Sequence, residues 1–140
     1  LSHGEDLLAA QALGADLAYL GTRFINTFES QADEAYRNMI IEAVSGDIIH
    51  TPAVSGVPAS FMRQSLEAAG FPMDKLNQAG EINYGEKLKP IDDEAKAWKT
   101  VWSAGQGVSQ IHDVLTVPDL VSRLAEEYRS ARERLLSKGS

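Results

Sequence analysis

The sequence predicts an α/β fold, rich in helix and with few short strands, on three observations. Leu17-Ala18-Tyr19-Leu20 is an unbroken apolar run, the pattern of a parallel strand covered on both faces. A helix-like stretch, Glu5 to Leu13, leads into it, and Gly14 suits the left-handed turn that ends many helices. Far downstream, Val117, Leu120, Val121, Leu124, Tyr128, Ala131 and Leu135 keep helical spacing along one long amphipathic segment.

Glu5 and Asp6 fall in the first turn of the opening helix, where negative charge complements the dipole. Leu7, Leu8 and Ala12 supply part of an apolar face. The strand is expected over Asp16 to Leu20. A lone parallel strand cannot satisfy its own backbone groups, so its neighbours must come from elsewhere. Phe24 to Phe28 reads as a turn or short helix. Ser30 is placed to cap a helix over Gln31 to Val44, with Ala32, Ala35, Tyr36, Met39, Ile40 and Ala43 as its stripe, and Gly46 stops it.

Asp47 to Thr51 is a short strand-like run, and Pro52, Gly56 and Pro58 mark a loop. Ala59 to Ala69 reads as helix with Met62 and Leu66 inward. Phe71 to Pro90 is a loop-rich excursion with a turn of helix near Asp74 to Asn77. Asp92 to Lys99 reads as helix, with Trp98 four residues from Trp102. Ser103 to Gly107 is a glycine-bearing turn, followed by a short helix over Val108 to His112. The last helix starts near Thr116 or Val117, with Pro118 in its first turn.

Composition excludes several functions. The 140 residues carry a net charge of −7, against the clustered Lys and Arg of a nucleic-acid surface. No cysteine is present, so disulfides, thiolate metal sites and cysteine nucleophiles are excluded. No apolar run approaches the roughly 20 residues of a membrane span, and no signal peptide is visible. A cytoplasmic protein is the default. No internal repeat stands out, so a single domain is the prior.

Gly21-Thr22 sits at the carboxyl end of the expected strand, where α/β folds bind ligands. A glycine lets a backbone N–H approach an anion and Thr adds a hydroxyl, so a phosphate is the natural ligand. On pattern alone, a plain strand-to-loop turn is the simpler reading. Arg23 either holds that anion or fixes the loop through an ion pair.

Three motifs add a family. Ala12-Leu13-Gly14-Ala15-Asp16 followed by Gly21-Thr22-Arg23-Phe24 resembles the last strand of the nitronate monooxygenases, which are FMN-dependent (β/α)8 barrels. Trp102-Ser103-Ala104-Gly105-Gln106-Gly107-Val108 is similar to their Trp-x-Ala-Gly-Gln-Gly-Val segment, and Ser55-Gly56-Val57-Pro58-Ala59 to their Ser-Gly-x-Pro-Ala stretch. The resemblance runs from about Asp6 into the last helix. It implies a partial (β/α)8 barrel whose whole takes about 250 residues. This chain would be its C-terminal portion: 1–30 the last helix-strand unit and phosphate loop, 31–100 a helical and loop-rich excursion, 101–140 the glycine turn and long helix.

The resemblance further implies FMN as cofactor, a nitronate and oxygen as substrates, Gly21 and Thr22 at the phosphate, and Gln106 near flavin or substrate. The family's glycine-rich phosphate loop and catalytic histidine precede the Ser2-His3-Gly4 region, and the chain begins at Leu1. No catalytic residue is therefore assigned. His3, His50 and His112 lack metal-ligand spacing, and His112-Asp113, being adjacent, point different ways on a helix. Two rivals remain. Flavin-dependent enoyl-acyl-carrier reductases share the barrel and a similar Gly-Thr-Arg-Phe loop, but the Ala-Gly-Gln-Gly-Val segment discriminates against them. Alternatively, the chain is a non-catalytic module that self-associates through unpaired strand edges.

Overall fold

The structure, a computed structural model, describes residues 1–54, 56–76 and 101–138. The expected helix over 92–99, Trp98, Ser55 and the 77–90 part of the excursion lie outside the described residues. The chain forms two compact units, one from Leu1–Glu42 with Gly107–Ser140, the other from Ala43–Gln106.

The first unit is built on two helices, α1 (Gly4–Ala12) and the long C-terminal helix, here α5 (Val117–Lys138). Between them in sequence come α2 (Thr22–Ile25) and α3 (Glu34–Glu42). Helix α1 ends as Gly14 predicts. Gly14 adopts φ +97°, its N–H donates to the Gln11 carbonyl at 2.9 Å, and the Ala15 N–H donates to the Ala10 carbonyl at 3.0 Å. The last carbonyls are thereby satisfied in a Schellman arrangement.

Carboxylates serve the other end of α1. Asp6 Oδ2 accepts from the Ser2 N–H at 2.7 Å and the His3 N–H at 3.1 Å. The Gly4 N–H donates to Glu127 Oε2 of α5 at 2.8 Å. That last bond is possible because the helices nearly touch. A Cβ on Gly4 would lie 2.3 Å from the Leu124 carbonyl oxygen and 2.3 Å from the Tyr128 nitrogen. Tyr128 Oη donates to Gln11 Oε1, and Arg134 pairs with Glu5 at 3.1 Å, so polar ties continue along the seam. Leu120, Leu124 and Ala131 are the buried part of the α5 stripe, whereas Val121 and Leu135 are exposed.

The Asp16–Leu20 run is not a paired strand here. It takes no regular secondary structure, no backbone hydrogen bond forms along it among the described residues, and Leu17 and Tyr19 are each 92% exposed. The physical reason is the one already implied: a strand exists through its hydrogen-bonded neighbours, and none of the described segments pairs with this one. Helix α3 is shorter than the stripe suggested. The Ser30 hydroxyl accepts from the Ala32 N–H at 3.1 Å, closing a local turn instead of capping the helix, which starts only at Glu34.

The second unit holds an antiparallel hairpin, β1 (Ile48–Thr51) with β2 (Ala59–Met62), in the register Ile48↔Met62 and Thr51↔Ala59. The expected helix over 59–69 is therefore divided: its first four residues pair as strand, and only Arg63–Ala68 forms helix α4. Met62 and Leu66 are fully buried, as their spacing suggested. Pairing overrides helical periodicity because β2 also receives a third segment: the Met62 N–H donates to the Trp102 carbonyl at 2.9 Å, and Phe61 bridges Ser103. Ser65 ties this corner, accepting from the Trp102 N–H at 3.0 Å and donating to the Met62 carbonyl at 2.8 Å. Phe61, Leu66, Leu76 and Val101 form the core of the unit.

The α1–α5 contact yields a direct expectation. Replacing Gly4 with Ala forces the helices apart and weakens the Gly4–Glu127 bond, costing about 1–3 kcal/mol. A urea or thermal midpoint that matches the wild type would overturn this account of the seam.

Candidate functional site

The candidate site is the turn that follows the Asp16–Leu20 run. Gly21 is exposed and precedes α2, and Thr22 is its half-buried first residue. The Gly21 carbonyl accepts from the Phe24 N–H at 3.0 Å, which rolls the chain into the helix. At φ −89° Gly21 needs no glycine-specific conformation. Its use would be openness: the nearest heavy atom to an added Cβ is Tyr19 Cε1 at 3.8 Å. A phosphate fits such a turn on those terms, through exposed backbone and one hydroxyl.

Arg23 does not face that opening. It is 3% exposed, and its Nη2 donates to Asp113 Oδ1 at 2.7 Å while Nη1 donates to the Asp113 carbonyl at 3.3 Å. The other Asp113 oxygen accepts from Arg123 Nη1 of α5 at 2.6 Å. Of the two roles open to Arg23, the structure shows the ion pair. Partial burial works against the Asp113 charge, but the Arg123 hydrogen bond and the Arg23 charge outweigh it and hold the carboxyl below its ordinary range.

Behind α2 the chain is fastened by backbone. Thr27 bridges Leu115 in parallel sense, with the Phe28 N–H donating to the Leu115 carbonyl at 2.9 Å. Asn26 is fully buried and donates through Nδ2 to the Arg37 carbonyl at 3.1 Å. Its Oδ1 finds no partner among the described residues.

Gly21 and Thr22 are thus brought together in the first unit. Gln106 is the last residue of the second unit: it is exposed, opens a 3-10 turn over Gln106–Gln110, and accepts at its carbonyl from Ser45 Oγ at 2.9 Å. His3 lies 3.6 Å from Glu127, His50 Nδ1 lies 3.2 Å from Ser60 Oγ, and His112 is exposed. Asp113, suggested by sequence only as half of a His-Asp pair, is the residue that matters beside α2. It lies 90 positions from Arg23, so no local pattern announces the pairing.

A solved nitroalkane oxidase from Streptomyces ansochromogenes superposes with a TM-score of 0.72 at 27% identity, over 96% of this chain and 39% of that one. FabK from Thermotoga maritima superposes at 0.69 with 22% identity, over 99% of this chain and 45% of that one, and speaks for the fold alone. The chain is a helix-rich part of a (β/α)8 barrel.

The family model for nitronate monooxygenase matches residues 1–127. A nitronate monooxygenase from Paraburkholderia phytofirmans is 32% identical, over 94% of this chain. The chain belongs to the nitronate monooxygenase family, a family of flavin-dependent oxidoreductases, and spans 37% of that relative's length.

The depressed carboxyls set a pH dependence. Asp113 and Asp6 have folded pKa values below their unfolded ones, Asp6 because the Ser2 and His3 N–H groups outweigh its partial burial. Their contribution is present above the unfolded value, about 4, and is lost as pH falls through the folded one. The melting temperature of the wild type is expected to drop below about pH 4, and less steeply in Asp6→Asn. An identical acid limb in that variant would rule out the contribution of Asp6.

Proposed function

We propose that this chain forms part of an FMN-dependent enzyme that oxidises nitronates or nitroalkanes with oxygen. The family match over residues 1–127, coinciding with an open Gly21-Thr22 turn, carries this reading. The Gly21 and Thr22 N–H groups and the Thr22 hydroxyl would hold the cofactor phosphate by hydrogen bonds to its oxygens. Gln106 would offer its amide near the flavin or the substrate. The flavin, when bound, supplies the electron transfer from substrate. Proton removal from carbon α to the nitro group suits a histidine, whose pKa lies near neutrality. On this reading none of His3, His50 and His112 matches the family's histidine, and the base would come from another part of the enzyme.

A second reading is favoured by one observation. Among the described residues the Asp16–Leu20 run forms no backbone hydrogen bond, and it lies beside an apolar groove of about 430 Å³ lined by Leu7, Leu17, Val121, Leu124 and Tyr128. On that reading the chain by itself is a non-catalytic module that self-associates through this edge.

Two measurements separate them. After incubation with FMN and desalting, the protein is expected to retain flavin absorbance, and Thr22→Val to weaken retention by about ten- to a hundredfold, the value of one hydrogen bond to a charged group. A colourless wild-type protein would count against the enzymatic reading for this chain. Light scattering after size exclusion then decides the module, for which a well-folded monomer is the negative result.

A further inference from the structure

We propose that Asp113 is a positioning residue for the Gly21-Thr22 turn, acting through the buried Arg23. The inference rests on the phosphate role proposed for that turn. Arg23 directly follows Thr22, so wherever its side chain is anchored, the two preceding peptide planes are constrained. Its anchor is unusually complete. One residue, Asp113, takes the guanidinium both at its carboxylate, 2.7 Å, and at its main-chain carbonyl, 3.3 Å. A buried guanidinium stays charged and cannot be left unpartnered without a large cost, so this contact has one stable geometry.

Asp113 is itself held. Arg123 reaches its second oxygen at 2.6 Å from α5, which fixes the carboxylate plane facing Arg23. The far end of α2 is fastened separately, by the Thr27–Leu115 bridge and by Asn26 on the Arg37 carbonyl. Helix α2 has only four residues, and its two ends therefore hang on independent ties. Loss of the ion pair frees the leading end, where Gly21 and Thr22 lie, while the backbone bridge keeps the trailing end in place. The cation nearest in sequence to the turn thus works as a strut: committed to Asp113, it shapes the anion site without entering it.

The test compares FMN with riboflavin, which has the same ring system and no phosphate, by fluorescence titration of the purified protein. The wild type is expected to prefer FMN. Asp113→Asn, which keeps the shape and removes the charge, is expected to raise the FMN Kd about tenfold and leave the riboflavin Kd unchanged. Asp113→Glu keeps the charge with one more methylene and is expected to fall between. It also decides the matter if the Asn variant does not fold. Equal weakening of both flavins, or unchanged preference in both variants, overturns the positioning role. A wild type that does not distinguish the two flavins sinks the phosphate reading itself, a result visible before any variant is made.

Discussion

The approach of α1 to α5 at Gly4 is the constraint on which the first unit depends. Two helices can come this close only where one presents no side chain, and the space between Gly4 and the Leu124 and Tyr128 backbone admits no Cβ. Closeness then converts a helix terminus into an inter-helix bond, because the Gly4 N–H reaches Glu127 on the partner helix. With Asp6 serving the Ser2 and His3 N–H groups, successive donors at the start of α1 are satisfied by carboxylates. Charge on those carboxylates is therefore part of the packing, and the lowered pKa of Asp6 records its share.

From that seam the rest of the unit follows in order. Helix α5 carries Arg123 to Asp113, Asp113 holds Arg23, and Arg23 sets the entry to α2. The Thr27–Leu115 bridge fastens the other side of the same short helix. The candidate anion turn is thus located by a chain of contacts that begins at a helix–helix interface. Its residues present an exposed glycine and a threonine, and the neighbouring cation is committed to Asp113.

The family was legible because its signals are local. Gly21-Thr22-Arg23-Phe24 and Ala104-Gly105-Gln106-Gly107-Val108 are short runs whose residue types are dictated by turns, and they survive in the sequence whatever surrounds them. Helices α1 and α5 were legible for a related reason: periodicity and a terminal glycine act within one element. The division at Ala59–Met62 was not, since those residues satisfy a helical stripe and a strand equally, and only β1 and the Trp102 segment decide between them. Ser30 misled in the same way, its hydroxyl being equally suited to a cap and to a local turn.

The sequence by itself determined where α1 and α5 run, where Gly14 ends its helix, that Met62 and Leu66 turn inward, and which family the chain belongs to. These follow from interactions within a few residues of chain. Tertiary structure alone decided that Leu17–Leu20 pairs with no strand among the described residues, that residues 59–62 are strand, and that Arg23 belongs to Asp113. Each of these depends on what lies alongside in space, and a partner 90 positions away leaves no trace in the pattern around either residue.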